Sequence, residues 1–137
     1  MNNEILIKTA LEVRKMAYAP YSGFTVGAAL LAQNGQIFQG CNIESASFSP
    51  TNCAERTALF TAVAQGVRDF SAIAVVGGKA GEIALDFCPP CGVCRQMLAE
   101  FCEPGDFKIV IAKSESEYMV KTLEELLPMS FRPEKLK

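Results

Sequence analysis

The sequence predicts a single α/β domain of three layers, with helices on both faces of a five-stranded mixed sheet. Three observations carry that expectation. Five short apolar runs, at residues 24–32, 37–41, 72–76, 107–112 and 117–120, alternate with stretches of helical periodicity. An Asn34-Gly35 pair separates the first two runs, the strongest short-range hairpin signal, while helical segments flank the third and imply parallel crossovers. And 137 residues, 50% of them hydrophobic, suffice for one compact core. No repeat, linker or low-complexity tract divides the sequence, so the domain is read as 1–137.

Residues 3–17 read as a helix. Leu6, Ala10, Val13 and Ala17 recur at three- and four-residue intervals, and Asn3 is available as the cap. Ala19-Pro20-Tyr21-Ser22-Gly23 then breaks it. The hairpin follows, and a polar, irregular segment from Asn42 to Thr51 leads to Cys53. Residues 53–65 read as a second helix, stopped at Gly66. The continuously apolar run 72–76 suits the centre of a sheet, and 77–90 read as a loop. Cys91 opens a third helix reaching about Cys102, with Cys91 and Cys94 on one face. After the last two strands, Thr122-Leu123-Glu124-Glu125 is a capping box opening a short helix that Pro128 stops.

Composition narrows the functional classes. A net charge of −2 gives no bulk reason for a polyanionic partner, and the scattered basic residues form no nucleic-acid stripe. Glu4, Lys8, Glu12, Arg14 and Lys15 interrupt the N-terminal apolar residues, so that segment reads as neither signal peptide nor membrane span. The expectation is a cytoplasmic, reducing address with neither nucleic acid nor membrane as partner. There, six cysteines read as metal ligands and buried thiols rather than as three disulfides. The chain contains no histidine. That excludes every Ser-His or Cys-His nucleophile and leaves sulfur and oxygen as metal ligands. Thiolates select zinc over magnesium or calcium.

Two stretches concentrate the chemistry: Asn52-Cys53-Ala54-Glu55-Arg56-Thr57 and Pro90-Cys91-Gly92-Val93-Cys94-Arg95-Gln96. Metal-assisted hydrolysis at neutral pH needs three protein ligands, an open position for water, and a proton carrier. Cys53, Cys91 and Cys94 are the candidate ligands and Glu55 the candidate carrier. Inside a helix, Cys53 and Glu55 would diverge by roughly 200°. They converge on one ion only at a helix start, where side chains and free N–H groups point forward. Three thiolates on Zn2+ leave a net charge of −1, which two helix N-termini, each worth about half a positive charge, would offset. Arg56, next to Glu55, could donate hydrogen bonds to ligand sulfurs.

Each of these residues also has a plainer role. Cys88 is evenly spaced with Cys91 and Cys94 and would complete a closed four-cysteine structural site with Cys53, leaving no place for water. A Cys-x-x-Cys pair also serves redox chemistry. With Asn52 as N-cap, Glu55 would simply complete a capping box, and Arg56 would face solvent. The open three-cysteine site is preferred because Glu55 and Pro90 serve neither alternative.

Cysteine, one spacer and glutamate, then a later Pro-Cys-x-x-Cys, is the established signature of zinc-dependent nucleoside and nucleobase deaminases, and this chain resembles them. Phe24-Thr25-Val26-Gly27-Ala28-Ala29-Leu30, Gly40-Cys41-Asn42-Ile43-Glu44 and Leu127-Pro128-Met129-Ser130-Phe131 narrow the likeness to small homotetrameric cytidine deaminases, over nearly the whole chain. The resemblance implies the α/β/α fold of that family, one Zn2+ per subunit and a homotetramer. It also implies hydrolysis of cytidine and 2′-deoxycytidine to the uridine counterparts plus ammonia, a step of pyrimidine salvage, with Glu55 as base and then acid. By the same resemblance Phe24 packs against the pyrimidine, Asn42 and Glu44 bind the ribose hydroxyls, the backbone at Ala54 meets the pyrimidine carbonyl, and Phe131 closes a neighbouring subunit's pocket.

Two positions depart from the pattern: Phe48, where the family usually carries tyrosine, and Pro89, where serine commonly precedes Pro-Cys. Rival readings are an aminopyrimidine antibiotic or a nucleic-acid base as substrate, and a non-enzymatic zinc-stabilised module. The Asn42-Ile43-Glu44 segment favours a free ribose.

Overall fold

The computed structural model describes residues 2–83 and 85–136. Helix α1 (Asn3–Arg14) is capped by Asn2, whose side chain accepts from the Ile5 N–H at 2.9 Å. The cap thus lies one residue before the expected Asn3. The helix also stops short of Ala17, because Tyr18 is drawn into a backbone hydrogen bond with Asn42. Strands β1 (Phe24–Ala32) and β2 (Ile37–Cys41) form the expected hairpin, paired from Leu31↔Ile37 to Gly27↔Cys41. Gly35 in the turn has φ 93°, a conformation that glycine adopts without Cβ strain.

Helix α2 (Ala54–Ala64) leads to β3 (Phe70–Lys79), and α3 (Gly92–Phe101) leads to β4 (Lys108–Ala112). Strand β5 (Tyr118–Thr122) then feeds α4 (Leu123–Leu126) through the capping box of Thr122 and Glu125. A final 3-10 turn at Pro133–Leu136 had no signal in the sequence. Strand β3 outruns the expected 72–76 at both ends and absorbs Gly77–Lys79, which read as loop. Glycines weaken a strand signal, yet here they pair with β1 through Gly77↔Val26 and Gly78↔Thr25.

The strand order is β2-β1-β3-β4-β5. Only β3–β4 is parallel; β1–β2, β1–β3 and β4–β5 are antiparallel. Parallel pairing on both sides of the 72–76 run therefore holds on one side only. The crossover through α2 does join two parallel strands, β2 and β3, but β1 lies between them. The hairpin places β2 at the sheet edge, leaving the other edge of β1 for β3.

Both faces of the sheet are covered, which gives the three layers. Leu6, Ile7 and Ala10 of α1 pack on Ala29, Ala74, Val76 and Val110. On the other face Ala58, Leu59 and Leu98 from α2 and α3 meet Leu30, Ile73, Val75 and Ile109. Residues 73 and 75 face one layer and 74 and 76 the other, so a strand buried on both sides reads as continuously apolar. Gly40 fixes where α2 begins. A Cβ there would run into the Ala54 carbonyl oxygen and the Ala58 nitrogen, so β2 and α2 meet backbone to backbone.

Candidate active site

Cys53 is the N-cap residue of α2 and Cys91 the N-cap residue of α3; Cys94 lies one turn into α3, fully buried. Neither cap cysteine makes a side-chain capping bond. Asn52 is not the cap: its Nδ2 donates to Thr57 Oγ1 at 3.2 Å, and Glu55 occupies the second helical position rather than the third. The capping-box role for Glu55 therefore has no geometric basis.

The three sulfurs lie within 4.8 Å of one another, with Cys53 and Cys91 3.8 Å apart. A tetrahedron with zinc–sulfur bonds near 2.3 Å has sulfur–sulfur edges of about 3.8 Å. The donor set therefore fits zinc. Cys88 stands outside this group, which leaves three sulfurs and not the closed four-cysteine set.

Electrostatics favour the anionic form of one sulfur, that of Cys53. The Cys53 thiol is lowered to about 5, chiefly by a hydrogen bond from Cys94 and further by Arg56, whose Nη2 donates to its sulfur at 3.3 Å. Cys94, the donor of that pair and itself buried, is pushed up. Arg56 is held more firmly protonated, first by its bond to Cys53. Its buried Nε has no hydrogen-bond partner among the described residues. Glu55 is only 4% exposed, and burial, with the Cys53 charge adding to it, raises its carboxyl to about 7. A carboxyl poised there both takes and gives protons at neutral pH.

This chain matches the model of the "cytidine and deoxycytidylate deaminase zinc-binding region" over residues 1–112. It is 47% identical to a cytidine deaminase of Sporosarcina psychrophila, over 99% of this chain and 96% of the relative. A cytidine deaminase of Halalkalibacterium halodurans is 48% identical, over 98% and 97%. The crystal structure of a cytidine deaminase from Burkholderia pseudomallei superposes with a TM-score of 0.85 at 45% identity, covering 96% of this chain and 100% of that one. The chain belongs to the cytidine deaminase family. The α/β architecture and the zinc cofactor expected from the sequence agree with that membership.

Around the cysteines of this cytidine deaminase family member, the remaining expected residues fall into two groups. Ala54, buried, opens α2, and its N–H belongs to the first turn, whose donors lack intrahelical acceptors. Asn42 spends its carboxamide on β1: Oδ1 accepts from the Val26 N–H and Nδ2 donates to the Phe24 carbonyl, both at 2.8 Å. It thereby fixes the strand end that carries the exposed Phe24. The Glu44 carboxylate accepts from the Tyr21 and Ser22 N–H groups and from the Ser22 hydroxyl. Tyr21, Ser22, Glu44, Phe48 and Thr51 line a cavity of about 330 Å³.

Phe131 stands apart from these. Its carbonyl accepts from Gln96 Nε2 of α3 at 2.7 Å and its ring is exposed, so its hydrogen-bond tie is to α3 and not to β1 or the Asn42–Glu44 segment. Two positions that brace the candidate site had no specific signal in the sequence. Ser22 read only as a turn residue, yet it clamps Glu44. Arg95 donates to the carbonyls of Pro90 at 2.7 Å and Leu126 at 2.8 Å, fixing the backbone just before Cys91.

Proposed function

We propose that this protein hydrolyses cytidine and 2′-deoxycytidine to uridine and 2′-deoxyuridine with release of ammonia. The observation that carries this reading is Glu55: a buried carboxyl, raised to about 7, two residues beyond Cys53 and beside the three-sulfur cluster. Cys53, Cys91 and Cys94 would hold one Zn2+ per subunit, which supplies a Lewis acid that acidifies water. Glu55 takes a proton from the water attacking C4 and delivers it to N3 of the ring. Glu55 next takes the proton of the hydroxyl now on C4 and passes it to the exocyclic nitrogen, which departs as ammonia as its bond to C4 breaks and the C4 carbonyl forms.

The other residues bind and orient. Phe24 covers the pyrimidine face, the Ala54 N–H donates to the ring carbonyl, and Asn42 and Glu44 contact the ribose through the second Nδ2 hydrogen and the carboxylate lone pairs that their bonds to the backbone and Ser22 leave over. Arg56 holds the Cys53 sulfur and offsets the excess negative charge of three thiolates. Support for these roles comes from position: the Asn42 carboxamide locks the Phe24 backbone, and Glu44 lines a cavity with Tyr21, Ser22, Phe48 and Thr51.

The whole chain acts as one deaminase domain, 1–137, in a homotetramer in which Phe131 closes a neighbour's pocket. Exposed Val93 on α3 and exposed Met129 and Phe131 after α4 supply apolar surface for such contacts. A reducing, cytoplasmic address suits a site built from thiols. No helix among the described residues is long and apolar enough to cross a membrane.

Ultraviolet absorbance of cytidine mixed with the zinc-loaded protein, run beside Glu55→Ala, tests the reading. Loss of the cytidine band with the parent alone is the expected result. No loss with a folded, zinc-loaded parent overturns it, and cytosine, an aminopyrimidine antibiotic and a short oligonucleotide then identify the alternative substrate.

A further inference from the structure

One residue beside the site has no part in this mechanism. Cys88 lies three residues before Cys91 yet outside the metal cluster, half-buried. Its position follows from a bare patch of backbone on β3. A Cβ added to Gly77 would lie 2.8 Å from Cys88 Sγ and 3.1 Å from both Cys88 Cβ and Phe24 Cε2. The thiol and the edge of the Phe24 ring therefore converge on the same glycine. Cys88 also feels the reacting centre: burial and then the charges of Glu55 and Cys53 raise its thiol to about 11. At neutral pH it is an uncharged, weakly polar wall.

We propose that Cys88 determines substrate specificity, its thiol setting the room available beside C5 of a bound pyrimidine. This rests on the deaminase reading above. In that reading Glu55 serves N3 and the amine on C4, and Phe24 covers the ring face. The remaining neighbour of C4 is C5. A neutral side chain lying beside Phe24, within the field of Glu55 but neither metal ligand nor proton carrier, borders that C4–C5 edge. Sulfur on a single methylene leaves more space than a β-branched side chain and less than a methyl group. Gly77 contributes by giving the thiol room to lie back against β3.

The test is the ratio of kcat/KM for 5-methylcytidine to that for cytidine, in the parent, Cys88→Ala and Cys88→Ile, at matched zinc content. A methylene-sized change in a pocket shifts such ratios by about tenfold or more. Cys88→Ala is expected to raise the ratio about tenfold and Cys88→Ile to lower it. A ratio unchanged in Cys88→Ala, or no 5-methylcytidine turnover even in that variant, overturns the proposal; Cys88→Ala decides alone if Cys88→Ile does not fold. A parent that deaminates neither nucleoside overturns the functional reading itself, and this proposal with it.

Discussion

Arg56 Nη2 lies 3.3 Å from Cys53 Sγ, in the one turn of helix that also carries Glu55. The pair couples the start of α2 to the sulfur cluster. A guanidinium is permanently charged and planar, and it offers several donors, so it offsets thiolate charge and fixes the sulfur's direction at once.

Arg56→Ala is therefore expected to weaken zinc retention by about 10- to 100-fold, the usual effect of removing a group that orients a metal ligand. Arg56→Lys should restore only part of it, because an ammonium lacks the planar fork. Competition against a chromophoric chelator measures the affinity. Unchanged affinity in Arg56→Ala would remove the arginine from the site.

Glu55 carries two expectations of opposite sign. As proton carrier, its replacement by Gln should leave zinc bound and lower turnover by at least about 10²–10⁴-fold. As a buried acid, it should destabilise the metal-free fold. Its folded pKa, about 7, exceeds the unfolded value, so the folded chain binds the proton more tightly. Stability is then highest below the ordinary carboxylate range and falls as pH rises through about 7. Glu55→Gln of the metal-free chain should gain stability at pH 8, on the order of 3 kcal/mol, and little at pH 4. Thermal melts at the two pH values decide it; equal shifts at both would contradict the burial argument.

What the sequence conveyed follows from what each residue type can do alone. Three cysteines and a glutamate at fixed spacing imply an ion and a proton carrier because few other roles need that set. Asn34-Gly35 implies a hairpin because the turn demands φ > 0. The misreadings depended on partners far along the chain. Gly77 and Gly78 join β3 only because β1 runs beside them, and glycine carries no apolar signal. Asn52 has the chemistry of a cap, but Thr57 claims its amide and Cys53 starts the helix. Ser22 acquires a role only when the fold brings Glu44 to it across 22 residues.

Gly40 gives a mechanical prediction. Its backbone touches Ala54 and Ala58, so Gly40→Ala must push α2 away from β2. Overpacking of this kind costs about 1–3 kcal/mol, and here the displaced helix start carries Cys53 and Glu55. Denaturant melts should register the loss, and zinc content should fall with it. A variant of parental stability and full zinc content would show that the two backbones have slack.

The three-sulfur set is separable from a four-sulfur set by spectroscopy. Cobalt in place of zinc gives sulfur-to-metal charge-transfer absorption that scales with the number of thiolates bound. Cys88 lies outside the cluster, so its sulfur is not among the three candidate ligands. Cys88→Ser should leave the band intensity of the cobalt protein at the parental value. Cys94→Ser should lower it by about a third, because it removes one of three equivalent donors. It should also hasten cobalt loss, since one of the three candidate sulfur ligands is gone. Equal losses in the two variants would mean that Cys88 is a ligand, and would return the site to the closed structural kind that has no position for water.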